Sequence, residues 1–325
     1  MVEREGRPFP TTVRGAKRGL LRTWRRTVRG VRRLGGNRDR TLGADPNNIV
    51  WIFGSARTGS TWLGAMMSDT QGFTWWHEPM VGYLFGHLYF DRARARRRDD
   101  HFVLGGEKEL WVGPVRRFVL DSVENRFPKV GGDNYLVVKE PHGTVGSSIL
   151  LQALPESRMI LLVRDPRDVI SSKMDAARRG SWAEKAQKRR GQQKKNTTAD
   201  THPDAFVKDQ ARRYANLMDL AQEAYDAHTG PKVVVRYEDL VADTPGTMRR
   251  MYAALGLPAT DEEISRVVEK HAWENIPERD KGEGKFYRKG TAGGWREDLT
   301  PDQVAFVEGA TASVLNRYYP ERLPS

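Results

Sequence analysis

From about residue 47 the chain alternates short, unbroken apolar runs with longer stretches of mixed polarity. The runs are Ile49–Phe53, Tyr135–Val138, Met159–Val163 and Val233–Val235, and Gly72–Trp76 reads as a further strand. Runs of this length without polar alternation suit parallel strands covered on both faces. The stretches between them carry helix punctuation. Asp165 before Pro166, with Asp168 third in the helix, reads as N-cap, N1 and N3. Thr244-Pro245 opens another helix that stops at Gly256, while Thr260 with Glu263 and Thr300-Pro301 with Gln303 mark two more. The pattern predicts one α/β domain over residues 47–325, with residues 1–46 outside it as an arm.

Charge sharpens that division. The 325 residues hold 54 Lys or Arg and 42 Asp or Glu, a formal charge of +12. Residues 1–40 contain 13 of the basic residues against Glu3, Glu5 and Asp39, so the arm carries +10 and the rest is nearly neutral. Within the arm Leu20, Leu21, Trp24, Val28, Val31 and Leu34 recur at helical spacing among arginines. Such a helix, over residues 17–35, suits the surface of an anionic membrane, and a solvated tail fits the same composition. Two further basic runs, Arg92–Arg98 and Arg178–Lys195, read as solvated loops or as a rim that attracts an anionic substrate, the second as a mobile loop or a poorly packed helix. Neither interleaves aromatics on one surface as a nucleic-acid binder does, so no nucleic-acid partner is expected.

Composition then removes several classes. With 38% apolar residues the chain can bury a core and is not a disordered protein. No run approaches the ~20 apolar residues of a membrane-spanning helix. The absence of cysteine excludes disulfides, zinc–thiolate sites, iron–sulfur clusters and a thiol nucleophile. A cytoplasmic location is expected, with peripheral contact at the inner membrane face left open by the arm.

The first candidate for chemistry follows the first strand. Ile49–Phe53 runs into Gly54-Ser-Ala-Arg-Thr-Gly-Ser-Thr61 and then into the apolar-periodic segment that starts at Trp62. Strand, glycine-rich turn and helix together let backbone N–H groups and a helix N-terminus hold a phosphate. The spacing imitates the nucleotide-binding pattern G-x-x-x-x-G-K-[ST], but Ser60 stands where the lysine would reach the β- and γ-phosphates. A cation appears instead inside the loop, at Arg57. This departure points to a phosphate-bearing ligand other than an ordinary nucleoside triphosphate.

Ala-Arg-Thr-Gly-Ser-Thr-Trp, residues 56–62, resembles the 5′-phosphosulfate loop of the sulfotransferases that use 3′-phosphoadenosine-5′-phosphosulfate (PAPS). The usual forms are P-K-S-G-T-T-W in the cytosolic branch and R-S-G-S-S in the Golgi carbohydrate branch. Two later segments carry the same resemblance. Met159–Val163 ends at Arg164, with Ser172 eight residues on, like the family's second motif. Arg288-Lys289-Gly290, followed by Gly293-Gly294-Trp295-Arg296, resembles its third motif, R-K-G-x-x-G-D-W-K, with Gly294 at the Asp position. The resemblance implies a three-layer α/β sandwich with a central parallel sheet, of phosphate-loop type. It also implies that Arg57, Thr58, Gly59, Ser60, Thr61 and Trp62 hold the 5′ end of PAPS. Arg164, Ser172, Arg288, Lys289 and Gly290 would hold its 3′-phosphate, and Trp273 would lie on the adenine. No metal is required, and no metal-ligand cluster is read in the sequence.

Sulfuryl transfer to a hydroxyl needs a general base, and two places offer one. His77-Glu78-Pro79 follows the first helix and the strand Gly72–Trp76, as a Glu-Pro does in the carbohydrate branch. Lys139-Glu-Pro-His142 follows Tyr135–Val138, near where the cytosolic branch has K-T-H, although strict spacing puts Pro141 at the histidine position. Glu78 is the first choice as base and His142 the second. Arg57 would stabilise the leaving phosphate and Lys139 would steady the sulfuryl group. The front motifs imply an acceptor hydroxyl on a glycan or glycolipid. The rival readings are a phosphate-loop kinase or hydrolase, against which Ser60 speaks, and a non-catalytic binder of anionic lipid or nucleic acid acting through the arm.

Overall fold

The structure is a computed structural model that describes residues 44–93, 103–178, 180–189 and 198–322. The arm up to residue 43, with its 17–35 segment, and residues 94–98 and 190–195 of the later basic runs lie outside the described residues.

Five parallel strands form one sheet in the order β2-β3-β1-β4-β5. They are β1 (Ile49–Gly54), β2 (Phe73–His77), β3 (Tyr135–Lys139), β4 (Arg158–Val163) and β5 (Lys232–Arg236). Each lies within a residue or two of its apolar run, because burial on both faces makes the run and the strand coincide. The principal helices are α1 (Ser60–Ser68), α2 (Val81–His87), α3 (Glu109–Arg126), α4 (Ser147–Ala153), α5 (Pro166–Ala177), α6 (Trp182–Arg189) and α7 (Pro203–Ala227). After β5 come α8 (Tyr237–Ala242), α9 (Thr244–Leu255), α10 (Asp261–Lys270), α11 (Pro301–Ala310) and α12 (Ala312–Tyr318).

The strand alternation sorts the core into two layers. Ile49, Trp51 and Phe53 face Leu136, Val138, Met159 and Leu161 and are covered by Val115 and Val119 of α3, Leu150 of α4 and Tyr214 of α7. Val50, Ile52, Val137, Ile160 and Leu162 face the other way, onto Leu63, Met66 and Met67 of α1, Met248 and Met251 of α9 and Ile264 of α10. The result is the expected helix–sheet–helix sandwich. With β1 central, the loops leaving β1, β3 and β4 meet at one end of the sheet, where open parallel sheets bind their ligands.

Most of the caps follow the punctuation. The Asp165 carboxylate accepts from Arg167 N at 2.9 Å, both Thr260 and Thr300 form full capping boxes, and Gly256 ends α9 with φ 58°. Two details differ. Asp243, not Thr244, caps α9 by accepting from Gly246 N at 2.9 Å, while the Thr244 hydroxyl donates to Leu240 O at 2.7 Å. The Asp168 carboxylate does not turn back on its own helix but ties down a distant loop described below. Of the basic run after Arg178, residues 182–189 form the helix that is one of its two readings. Ser181 Oγ accepts from Glu184 N at 3.2 Å, and the Glu184 carboxylate accepts from Gly180 N at 2.6 Å, so Ser-x-x-Glu opens α6. Among the described residues no helix is long and apolar enough to cross a membrane.

Candidate active site

The glycine-rich turn is locked from below. The Thr144 hydroxyl donates to Gly54 O at 2.7 Å and accepts from Gly54 N at 3.0 Å, and the Thr58 hydroxyl donates to Ser55 O at 2.8 Å. Thr58 is therefore turned into the protein, and its side chain is not a wall of the cavity. Gly59 caps α1 with φ 88°, and a Cβ there would lie 2.6 Å from the ring of Tyr237, so only glycine lets the tyrosine underlie the turn. No side chain caps α1, and its first turn carries no acidic residue. Its leading N–H groups are thus left as donors for an anion.

The Arg57 guanidinium bridges this turn to the neighbouring helix. Nε donates to Ser172 Oγ at 3.0 Å and Nη2 to Phe286 O at 2.9 Å, with the contacting rings of Trp182 and Phe286 both close to the guanidinium. Burial, and then the charge of Arg164, pushes its pKa down to about 10. Arg164 reaches back to Arg57 O at 3.1 Å and lies over Tyr237, 4.1 Å from the ring centre. The third segment closes on the same helix. Arg288 donates to Ser171 Oγ at 2.8 Å and pairs with Asp298 at 2.6 Å, while Lys289 pairs with Glu297 at 2.6 Å. Asp168 accepts from Gly293 N at 2.7 Å and from Trp295 N at 3.1 Å, fastening the turn that follows Gly290. Trp273 packs over Gly290, and the Trp62 indole donates to His271 O at 2.9 Å, which joins the 271–273 segment to α1.

At the ends of β2 and β3 stands an ion pair. Lys139, only 3% exposed, binds the Glu78 carboxylate and lies 3.3 Å from His77 Nε2. Burial favours a neutral Glu78, but Lys139, His142 and His77 outweigh it and hold the carboxyl below its ordinary value. Burial lowers Lys139 despite the pair, and burial with the Lys139 charge lowers His77. The backbone here is constrained: Glu78 has φ 47° and Met80 φ 65°, positions that cost a non-glycine residue about 1–3 kcal/mol each.

The three cationic segments and the ion pair converge on a cavity of about 650 Å³. Arg57, Gly59, Ser60, Thr61 and Trp62 form one wall, Arg164, Ser172, Arg288, Lys289 and Gly290 another, and Trp273 a third; Glu78, Lys139 and His142 stand at the remaining end. Of the residues nominated from sequence, only Thr58 is not among them. The cavity also contains His77, Asp168, Trp182, Tyr237 and Phe286, which were not nominated. Tyr237 follows the last strand directly, a position that could have drawn notice, whereas Phe286 lies in a segment with no periodicity.

The donor set is cationic and unfinished. Arg164 Nε and Arg288 Nε are buried without a hydrogen bond, and the α1 N-terminus is open. Such a pocket fits a ligand with two phosphate groups.

The Sulfotransferase family model matches residues 50–262. Cytosolic sulfotransferase 17 of Arabidopsis thaliana is 24% identical over 292 residues, spanning 73% of this chain and 80% of that protein. Mouse sulfotransferase SULT7A1, solved in complex with PAP, superposes with a TM-score of 0.53 at 14% identity, covering 87% of this chain and 88% of the other. Sulfotransferase STF9 from Mycobacterium avium gives a TM-score of 0.50 at 16% identity, over 85% and 78% of the two chains. The solved structures share the fold, the family model spans all five strands, the glycine-rich turn and the Arg164–Ser172 segment, and the chain belongs to the Sulfotransferase family.

Proposed function

We propose that this enzyme moves the sulfuryl group of PAPS to a hydroxyl of a glycan or glycolipid, with Glu78 as general base, and releases 3′,5′-bisphosphoadenosine. The observation that carries the reading is the convergence of three sequence-distant cationic segments and one carboxylate–lysine pair on one cavity. Its cationic walls supply two anion sites, one at the α1 N-terminus and one between Arg164, Ser172 and Arg288. A carrier with a 5′-phosphosulfate and a 3′-phosphate matches that spacing of charge, and Trp273 offers a ring face for its adenine. PAPS supplies the activated sulfur; the protein supplies alignment, charge and a proton acceptor.

Glu78 is ionised at neutral pH and accepts the hydroxyl proton as the acceptor oxygen bonds to sulfur and the bond from sulfur to the 5′-phosphate oxygen breaks. Lys139 has three donors, two directed at Glu78 and His77, which leaves one for a sulfuryl oxygen. Arg57 sits between the two phosphate positions and takes up charge on the leaving group. His142 lines the same end and is the alternative base. The glycan or glycolipid acceptor rests on the likeness of His77-Glu78-Pro79 to the carbohydrate branch, and the cytoplasmic location and membrane contact through residues 17–35 belong to the same proposal.

The test is direct. Purified protein incubated with sulfur-labelled PAPS and a panel of glycans, glycolipids and a naphthol should label a sugar acceptor. Glu78→Gln should lower that turnover by about 10²–10⁴-fold while the heat of binding 3′,5′-bisphosphoadenosine is unchanged. No heat of association with 3′,5′-bisphosphoadenosine would remove the reading altogether, and unchanged turnover would pass the base role to His142.

A further inference from the structure

Between Lys139 and His142 lies a second carboxylate, Glu140, that the site described above does not use. It is 0% exposed. Its Oε1 accepts from Val81 N at 2.7 Å, the amides of Gly82 and Met80 also favour its charged form, and its Oε2 has no hydrogen-bond partner. A Cβ on Gly143 would collide with that free oxygen, so the turn after Pro141 is shaped around the carboxylate. The burial is costly: desolvation, with Glu78 adding to it, lifts Glu140 to about 7. A glutamate held at such expense, with backbone amides for partners, calls for a role beyond packing.

The geometry supplies that role. The turn that presents Glu78 has two ends. Its leading end is fixed where Glu78 N donates to Lys139 O at 3.0 Å. Its trailing end is fixed where Val81 N donates to Glu140 Oε1 at 2.7 Å, and the amides of Met80 and Gly82 favour the charge of the same carboxylate. Between the two anchors Glu78 and Met80 keep their left-handed backbone angles, which would relax if either anchor let go. We propose that Glu140 is a positioning residue, which acts through the Met80–Gly82 backbone to hold the Glu78 carboxylate in line for the acceptor hydroxyl. The inference rests on Glu78 being the base.

Glu140→Gln keeps the shape and removes the charge. Transfer from sulfur-labelled PAPS to octyl β-D-galactoside, to a naphthol and to water is measured for the wild type, Glu78→Gln, Glu140→Gln and the double variant. Glu140→Gln is expected to lower kcat about 10- to 100-fold, the scale of a small misplacement of a reacting group. Binding of 3′,5′-bisphosphoadenosine and the acceptor KM should hold within twofold, and Tm at pH 8 should equal or exceed the wild-type value. In the Glu78→Gln background the second substitution should cost less than threefold, since a residue that acts through another loses its effect when that other is gone. Glu140→Asp, which shortens the reach and keeps the charge, carries the same cycle if the Gln variant does not fold. Wild-type kcat in Glu140→Gln, or an equal fractional loss in both backgrounds, overturns the proposal. Wild-type turnover in Glu78→Gln alone is a different failure, that of the base assignment on which it rests.

Discussion

Glu140 makes the residue scale measurable without any acceptor. Its carboxyl is lifted from 4.5 unfolded to about 7 folded, chiefly by burial. Below the unfolded value it is protonated in both states and costs nothing. As pH rises between the two values the folded state resists losing the proton, and above about 7 the whole penalty is present. At 1.36 kcal/mol per unit this amounts to about 3 kcal/mol. Glu140→Gln does not titrate, so its stability advantage over the wild type should be near zero at pH 4 and full at pH 8, read as ΔG from urea unfolding at each pH. Lys139 and Glu78, the charged groups beside it, are common to both proteins and cancel in the comparison. A gap of the same size at both pH values would contradict the assignment. The contrast with Glu78 is instructive, because both carboxylates are buried to a degree and only one finds a cation. Arg57 was nominated from its place in a glycine-rich turn, and Arg164 and Glu78 from the likeness of their segments to family motifs; all three line the cavity. Glu140 was not nominated, because a carboxylate that binds backbone amides leaves no partner residue in the sequence.

At the scale of elements, the loop from Arg288 to Arg296, which has Gly294 where the motif it resembles has an aspartate, is tied to α5 beside the cavity. Asp168 makes that tie, with both oxygens on the backbone of Gly293 and Trp295. Its position third in a helix suggested a local cap, and its actual partners lie 125 and 127 residues away, a distance no local pattern reports. Asp168→Asn retains the shape but offers an acceptor on one side only. Loss of one charged hydrogen bond is worth about 1.5–3 kcal/mol, so affinity for 3′,5′-bisphosphoadenosine should fall at least about tenfold. Calorimetry showing unchanged affinity would mean that the loop closes without Asp168. The other elements were legible to differing depths for physical reasons. Strands buried on both faces announce themselves as apolar runs, and capping boxes announce helix starts. Helix α6 was left open between a loop and a poorly packed helix because its charges hid the Ser181-x-x-Glu184 signal, and α2 was not read because an apolar stretch so short gives no period.

On the scale of the whole molecule, the cavity is assembled from loops that share nothing but the end of the sheet they leave. Two core layers fix β1, β3 and β4 side by side, and the loops then bring their charges together as a consequence. Those charges repel: Arg57 is pushed down partly by Arg164 and Arg288. A ligand that neutralises them should therefore stabilise the entire domain. At a concentration of 100 times its Kd, 3′,5′-bisphosphoadenosine should add about 2.7 kcal/mol, which for a domain of this size is a rise in Tm of about 5 °C. Adenosine 5′-monophosphate lacks the 3′-phosphate, and on the proposed assignment it would engage only the α1 end of the cavity. Arg288→Ala should shrink the shift produced by the bisphosphate at the same concentration and leave the smaller shift from the monophosphate untouched. The selective loss follows from where Arg288 stands, held by Ser171 and Asp298 beside Ser172 rather than within the glycine turn itself. If both shifts shrank together, the arginine would be supporting the domain at large, and the division of the cavity into a 3′ end and a 5′ end would have to be given up.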